Sequence, residues 1–526
     1  MRRHWAPALV APLLLLSGCL SASSGYGLAR DTVQQRVGMA VADDQASAAS
    51  RKRLLSKPLT ADSAARLALL NSPDVEIAMA NIGIARAQTM AALRLPNPTA
   101  EFGAHFHDDG ADIEVGATLG LLELLLAPAR GAAGGELLDA AALEAAGSLL
   151  DVAFAAKIAF FEYQAALQIH ELRKTVTYAM AQSSEIAARL LEAGNIPELE
   201  ALTERALYEE ARLALARAEV NETTARERVN EALGLFGTEG ASWTTAAMLP
   251  APDGFDAANL ESGAIAASLE LSALEKRYAA AATQSDVAWV NGVLPDIEVG
   301  VGADREADDN EWGIGPRVQV GIPLLYQGQA EIAGAEAQMR SAKGRTLSTA
   351  TRIRSTARSV TAELSQTRAS AQFYRKTLLP LRERIVDETL RQYNAMNLGP
   401  LQVLQAKRDE VEAGGAYVMV LRDYWVARTQ AEMLLAGRED PRQDSPSLGA
   451  IVTKLRPTEV NMPSHVWLQK FGGGAAPAES AYLTGGHLGT GHAPLLLGER
   501  HDDLSLIHIS EPTRLRRISY AVFCLK

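Results

Sequence analysis

The feature that most constrains this chain is an approximate internal duplication, its two copies about 200 residues apart. Each copy runs short helix, two alternating strands, a very long helix, a Gly/Pro/Asn turn and a long return helix. In the first, Leu59 to Arg94 reads as helix with Thr60 or Asp62 as its cap, and Leu95-Pro96-Asn97-Pro98 ends it. Strand patterns cover Thr99 to His107 and Ile113 to Leu121. Pro128 and Gly131 to Gly135 mark the change back, and helical periodicity is predicted over Glu136 to Ala193. Gly194-Asn195-Ile196-Pro197 makes a turn, with Gly suited to a left-handed helix end and Pro to a first helical turn, ahead of a helix from Leu199 to Leu235. The second copy repeats this: a helix from Leu260 to about Val290, a stop at Leu294-Pro295-Asp296, strands at Ile297 to Asp304 and Trp312 to Ile322, and a helix from Gln329 to Ala395. The turn Asn397-Leu398-Gly399-Pro400 then leads into Gln402 to Leu435. A fixed offset of 202 pairs Asn195 with Asn397, Ile196 with Leu398, Leu199 with Leu401, Leu202 with Leu404 and Arg226 with Arg428.

Helices of about 60 to 70 residues would be on the order of 90 to 100 Å long, far beyond the few turns of a globular helix. They must pack along one another as coiled coils, and the Ala-rich seam of Ala206, Ala211, Ala214, Ala216 and Ala218 permits close approach. The fold class is therefore mainly α with a small β part, built of long helical hairpins. The Gly-, Pro-, Ser- and Thr-rich stretches at 238–259 and after Gly437 read as a connecting segment and a tail.

All four strands place apolar residues on one face and polar residues or glycine on the other. Phe102, Phe106, Val115, Val299, Val301, Ile314 and Val318 oppose Glu101, His105, Glu114, Glu298, Gly300, Arg317 and Gln319. An ordinary half-buried antiparallel sheet shows the same alternation. So does a membrane barrel, which needs about 9 to 11 residues per strand. Four strands cannot close a barrel and lipid does not tolerate open edges, so the second reading requires an oligomer.

A net charge of −12 without a basic stripe argues against nucleic acid as a partner. No hydrolase elbow, phosphate loop or zinc-protease motif occurs, so conduction is expected in place of catalysis, with no cofactor and no enzyme activity. His105, His107, Asp108, Asp109 and Asp112 could capture a divalent cation, but with Gly110 they read as a polar hairpin loop, and no metal site is assigned. Asp304, Glu306, Asp308, Asp309 and Glu311 form a second acidic loop, and copies of both around one opening would favour cations.

Arg2 and Arg3, the apolar run Ala6 to Leu16, and Leu16-Ser17-Gly18-Cys19 resemble the signal and lipobox of bacterial lipoproteins. The run is far short of the roughly 20 residues of a spanning helix. The resemblance implies cleavage before Cys19 and acylation of it, and Leu20 in the next position points to the outer membrane. Residues Leu504 to Lys526 (LSLIHISEPTRLRRISYAVFCLK) read as translated sequencing-adapter DNA, which puts the end of the natural protein near Asp503 and removes Cys524 from consideration.

From Thr60 to Gly437 the order of elements resembles the TolC family of outer-membrane efflux proteins. The most specific pieces are Val320-Gly321-Ile322-Pro323-Leu324-Leu325-Tyr326-Gln327-Gly328 after the fourth strand, the two helix turns and the lipobox. The first-copy counterpart Leu121-Leu122-Glu123-Leu124-Leu125-Leu126-Ala127-Pro128-Ala129-Arg130 lacks the aromatic-plus-glycine ending. The resemblance implies a homotrimer in which each chain gives four antiparallel strands to one twelve-stranded β-barrel in outer-membrane lipid, continued by a helical tunnel into the periplasm of a Gram-negative bacterium. It makes the strand positions Glu101, His105, Glu114, Glu298, Arg317 and Gln319 lumen-facing. It sets Gly194, Asn195, Pro197, Asn397, Gly399 and Pro400 at a periplasmic tip that meets an adaptor protein, itself joined to an inner-membrane pump such as an RND-type transporter. Nearby Arg189, Glu192, Glu198, Glu200, Arg391, Tyr393 and Gln402 would then form polar links closing the resting tunnel. The expected organisation is signal peptide 1–18, linker 19–58, first repeat 59–237, connection 238–259, second repeat 260–437, tail 438–503 and adapter-derived 504–526. Two other readings are a non-pore periplasmic coiled-coil scaffold lipoprotein and the outer-membrane duct of a type I protein secretion system.

Overall fold

The computed structural model describes residues 25–41, 47–107, 110–245, 248–306, 311–322, 326–438, 466–468 and 495–497. Two units result, Met1–Glu439 and Asp440–Lys526. In the first, α1 (Tyr26–Val37) and α2 (Ser47–Leu55) precede the first copy: α3 (Ala61–Asn71), α4 (Pro73–Ala92), β1 (Thr99–His107), β2 (Gly110–Gly120), α5 (Leu121–Glu192) and α6 (Glu198–Leu233). After α7 (Gly237–Ser242) comes the second copy: α8 (Leu260–Ala267), α9 (Leu269–Val293), β3 (Asp296–Arg305), β4 (Trp312–Gly321), α10 (Gln329–Phe373), a π-turn (Tyr374–Leu378), α11 (Leu379–Asn394) and α12 (Pro400–Leu435). In the second unit, β5 (Val466–Leu468) and β6 (Leu495–Leu497) form a short parallel pair.

The predicted entry helix Leu59 to Arg94 is in fact two helices, because Ser72 precedes Pro73 and a residue before proline is pushed out of the helical region. Ser72 adopts φ −67° and ψ 132°, and its hydroxyl caps α4. The second copy breaks at the corresponding serine without any proline: Ser268 Oγ accepts from the Leu271 amide at 3.1 Å. Each break is held by the glycine that ends the return helix. Gly234 and Gly437 both have positive φ, and a Cβ on either would come within 2.7 Å of Asn71 O or 2.2 Å of Ala267 O. Only glycine allows both the left-handed turn and that approach.

Helix α5 begins at Leu121, 15 residues earlier than the periodicity suggests, and runs for 72 residues. Pro128 lies inside its first turns, where Arg130 Nη2 donates to the Glu123 carbonyl at 2.5 Å. The glycines that looked like helix breakers serve close packing. A Cβ on Gly131 would meet Leu93 Cδ2 at 2.3 Å, and Gly134 lies against Thr89, whose hydroxyl donates to the Gly134 carbonyl at 2.8 Å. The helix predicted from Gln329 to Ala395 is likewise interrupted. Its ladder slips into the π-turn just before Pro380, which has no N–H to continue the α spacing.

The core lies around the middle of α5, where Leu149, Leu150, Phe154, Phe160 and Tyr163 are buried and Phe161 stacks on Trp425 at 5.2 Å between centroids. The connection between the copies is stapled there by the paired arginines of the repeat. Arg226 lies 4.2 Å from the Trp243 ring centroid and donates to the carbonyls of Gly240, Ala241 and Trp243 at 3.3, 3.0 and 2.9 Å. Arg428 lies 3.9 Å from the Phe255 centroid and 3.4 Å from Asp253 Oδ2. Tyr424, fully buried beside it, donates to Asp253; burial and then that hydrogen bond push its phenol up to about 12.

Replacing Arg226 or Arg428 with Ala is expected to lower stability by about 1–3 kcal/mol through lost cation–π and charge-assisted bonds. Arg226→Lys should recover little, since an ammonium cannot reach the carbonyl fan and stack together. Thermal unfolding of the purified variants by circular dichroism measures both effects.

Candidate pore wall and helical tips

The four long strands form one antiparallel sheet in the order β1-β2-β3-β4, so hairpins from the two copies meet along β2 and β3. The strands start and end within a few residues of the sequence expectation, β2 beginning earlier, at Gly110. The apolar face is left uncovered: Phe102 is 82% exposed, Phe106 83%, Ile314 77% and Val318 64%. Among the described residues no helix is long and apolar enough to cross a membrane.

The opposite face carries Glu101, His105, Glu114, Glu298, Arg317 and Gln319 together, as strand alternation and the register require. Arg317 on β4 pairs with Gly300 on β3, Gly300 with Thr118 on β2, and Thr118 with Thr99 on β1. Yet Arg317 Nη1 reaches Glu101 Oε2, one same-face row further along β1, at 2.6 Å, and Nη2 lies 3.7 Å from Glu114 Oε2. In a flat sheet β4 and β1 would be about 14 Å apart, with side chains standing roughly perpendicular. The ion pair is therefore made by an Arg317 side chain laid along the polar face, over β3 and β2, towards β1. Gly300 marks the tightest point: a Cβ there would lie 2.0 Å from Ala117 O and 2.8 Å from Thr118 Cα. Thr118 Oγ1 donates to Glu298 Oε2 at 3.0 Å on the same face.

At the far end of the hairpins both turns have one geometry. In the first, the amides of Gly194 and Asn195 donate to the carbonyls of Leu191 and Leu190 at 2.9 and 2.8 Å, with Gly194 at φ +73°. In the second, Met396 and Asn397 donate to Tyr393 and Gln392 at 2.8 and 2.9 Å, with Met396 at φ +60°. Both are Schellman endings. Pro197 then caps α6, while Gly399 caps α12 and Pro400 opens it. Arg189 pairs with Glu185 at 2.5 Å and Arg391 with Glu388 at 3.5 Å, each along its own exposed helix, where such pairs contribute little.

No family model matches the chain. The chain is 25% identical over 259 residues to the cobalt-zinc-cadmium resistance protein CzcC of Cupriavidus metallidurans, a match covering 48% of this chain and 60% of that protein. Its backbone superposes on the outer-membrane channel OprN with TM-score 0.61 (15% identity, 75% of this chain and 93% of that one). It also superposes on the outer membrane protein VceC of Vibrio cholerae with TM-score 0.59 (15% identity, 74% and 97%), and on the open state of the MtrE outer membrane channel of Neisseria gonorrhoeae with TM-score 0.57 (15% identity, 72% and 90%). The chain has the TolC-family channel fold.

Within this fold, the sheet carries the residues expected to face a lumen, and the two turns are the ends of the helical hairpins. Sequence reasoning grouped the polar-face residues but missed Met396 as the left-handed residue of the second tip, having centred that turn on Asn397 to Pro400. The signal was present: the offset of 202 sets Met396 opposite Gly194. Reasoning from alternation also treated Gly300 as one polar-face position among several, whereas no side chain fits there. Among the described residues no group of His, Cys, Asp and Glu is placed to hold a metal ion. Asp108, Asp109, Asp308, Asp309, Cys19 and the segment Leu504 to Lys526 lie outside the described residues.

Gly300→Ala is expected to force β2 and β3 apart and destabilise the folded protein by about 1–3 kcal/mol. Gly315→Ala, with nothing within 4 Å of the added carbon, should be near neutral. Comparing the thermal unfolding of the two separates the close strand approach at Gly300 from mere loss of glycine.

Proposed function

We propose that this chain is the outer-membrane duct of a tripartite exporter. Three copies would join β4 of one to β1 of the next, closing a twelve-stranded barrel in outer-membrane lipid that the helical hairpins continue into the periplasm. The observation that carries this reading is the four-stranded sheet with an exposed apolar face, a polar face and, among the described residues, two unpaired edge strands. In water that face would expose Phe102, Phe106, Ile314 and Val318 together, which a non-pore scaffold has no reason to do. In lipid the same side chains are solvated and only the open edges are intolerable, a defect that ring closure removes.

The duct is passive and performs no enzymatic step. Energy comes from an inner-membrane pump, of RND type in this reading, and a periplasmic adaptor joins pump to tip. The similarity to a cobalt-zinc-cadmium resistance protein makes divalent heavy-metal cations the first cargo to test. Acylated Cys19 would add a lipid anchor. Gly25 sits close to Ile82 and Leu138, and six residues of chain extend at most about 20 Å, which keeps the lipid near the membrane-proximal part of α5.

In planar bilayers the purified protein should conduct. Val301→Lys, on the apolar face, should abolish insertion because a lipid-facing charge at mid-depth costs about 2–4 kcal/mol, while Gln319→Lys on the polar face should insert normally. Equal behaviour of the two variants would remove the barrel. Loss of the gene should sensitise the host to zinc, cobalt or cadmium; unchanged metal tolerance with altered drug tolerance would redirect the cargo.

The tip generates a further expectation. Met396 is 94% exposed and holds a backbone conformation that costs a non-glycine residue about 1–2 kcal/mol. Met396→Gly should therefore leave thermal stability equal or higher. If the tip is where the adaptor docks, the same variant should reduce adaptor crosslinking and export, and normal crosslinking would show that Met396 is only a connector.

A further inference from the structure

Arg317 is the one Arg or Lys among the described strand positions of the polar face, where Glu101, Asp112, Glu114, Asp296, Glu298 and Asp304 also lie. Its path across the sheet is prepared by glycine. Gly315, Gly302, Gly116 and Glu101 form one continuous cross-strand row through β4, β3, β2 and β1. The guanidinium leans from its own row into that row: a Cβ on Gly116 would lie 3.2 Å from Nη1, and one on Gly302 3.1 Å from Nε. The result is a trough one arginine wide, ending at a carboxylate, with a second carboxylate, Glu114, on its flank at 3.7 Å. The arginine and both glutamates remain partly open to solvent on the polar side.

We infer that Arg317 determines the ion preference of the duct. The inference rests on the reading of the polar face as a pore lumen. Lying flat in the glycine trough, Arg317 stays clear of the opening and offsets one of the two charges of Glu101 and Glu114, so that the carboxylates of Glu298, Asp296 and Asp304 add to the negative charge that remains on that wall. A side chain standing upright would instead present a cation to the passage. Repeated in three copies, the shielded arrangement gives a modest preference for cations, and its strength is set by whether the strap is present.

Reversal potentials in planar bilayers under a KCl gradient test this directly. Wild type should show a weak preference for K+ over Cl−. In Arg317→Gln the K+ to Cl− permeability ratio should rise by at least about threefold, the Boltzmann factor for a unit charge passing about 7 Å from the one carboxylate charge that the arginine no longer offsets, in water. In the double variant Glu101→Gln with Glu114→Gln, the unopposed guanidinium should lower the ratio below that of wild type. This second variant keeps the arginine and so reads the inference even if Arg317→Gln fails to assemble. Conducting Arg317→Gln with the wild-type ratio, or a double variant with an unchanged ratio, overturns the inference. Absence of conduction in the wild-type protein would instead overturn the duct reading, and the role of Arg317 with it.

Discussion

A helix of 72 residues extends for about 108 Å, and nothing of that length can bury its own apolar stripe. The rest of the molecule follows from that constraint. Helices α4, α6, α9 and α12 each pack along part of α5, so its buried residues change partners along its length while its backbone stays continuous. Close approach is set by small residues where neighbours cross, Gly131 against Leu93 and Gly134 against Thr89, and by aromatic side chains where the connection between copies must be held. Pro128 falls near the start of α5, and the helix continues through it.

Much of this was legible in the sequence because its signals are periodic. Strand alternation put Glu101, Glu114, Glu298 and Arg317 on one face, and the register agrees. The offset of 202 paired Arg226 with Arg428 before anything showed that both clamp the connecting segment onto aromatic rings. What stayed illegible depends on the partner of a residue and not on its own propensity. Gly131 to Gly135 read as a helix boundary because glycine is a poor helix former, yet contact with α4 outweighs the roughly 1 kcal/mol per residue involved. Met396 was missed for the opposite reason: a left-handed turn calls for glycine, and the second tip makes the same turn without one. The reach of Arg317 across the sheet has no periodic signature at all. It became visible only when the guanidinium was found on Glu101, three strands away.

The two copies share a plan and differ in firmness. The first hairpin has a buried seam reaching close to its turn, with Val176, Met180, Ser183, Ala187 and Glu204 covered by neighbours. In the second, α11 has no buried residue and follows a π-turn. Hydrogen exchange should be correspondingly uneven along the two hairpins, since few buried contacts accompany low local stability.

The glycine trough has a consequence for how the sheet finds its register. Cross-strand side-chain pairs normally help to lock neighbouring strands, and Gly315, Gly302 and Gly116 forgo them in three adjacent strands. Backbone hydrogen bonds would survive a slip of one residue along the sheet, but every side chain of the slipped strand would change faces. For β4 such a slip would turn Arg317 away from both carboxylates and onto the side bearing Phe102 and Val301. The same arginine that crosses the trough thus acts as a proofreading pin: a misaligned β4 forfeits the ion pair with Glu101 and sets Arg317 among apolar side chains, and only one alignment of the strands keeps the pair.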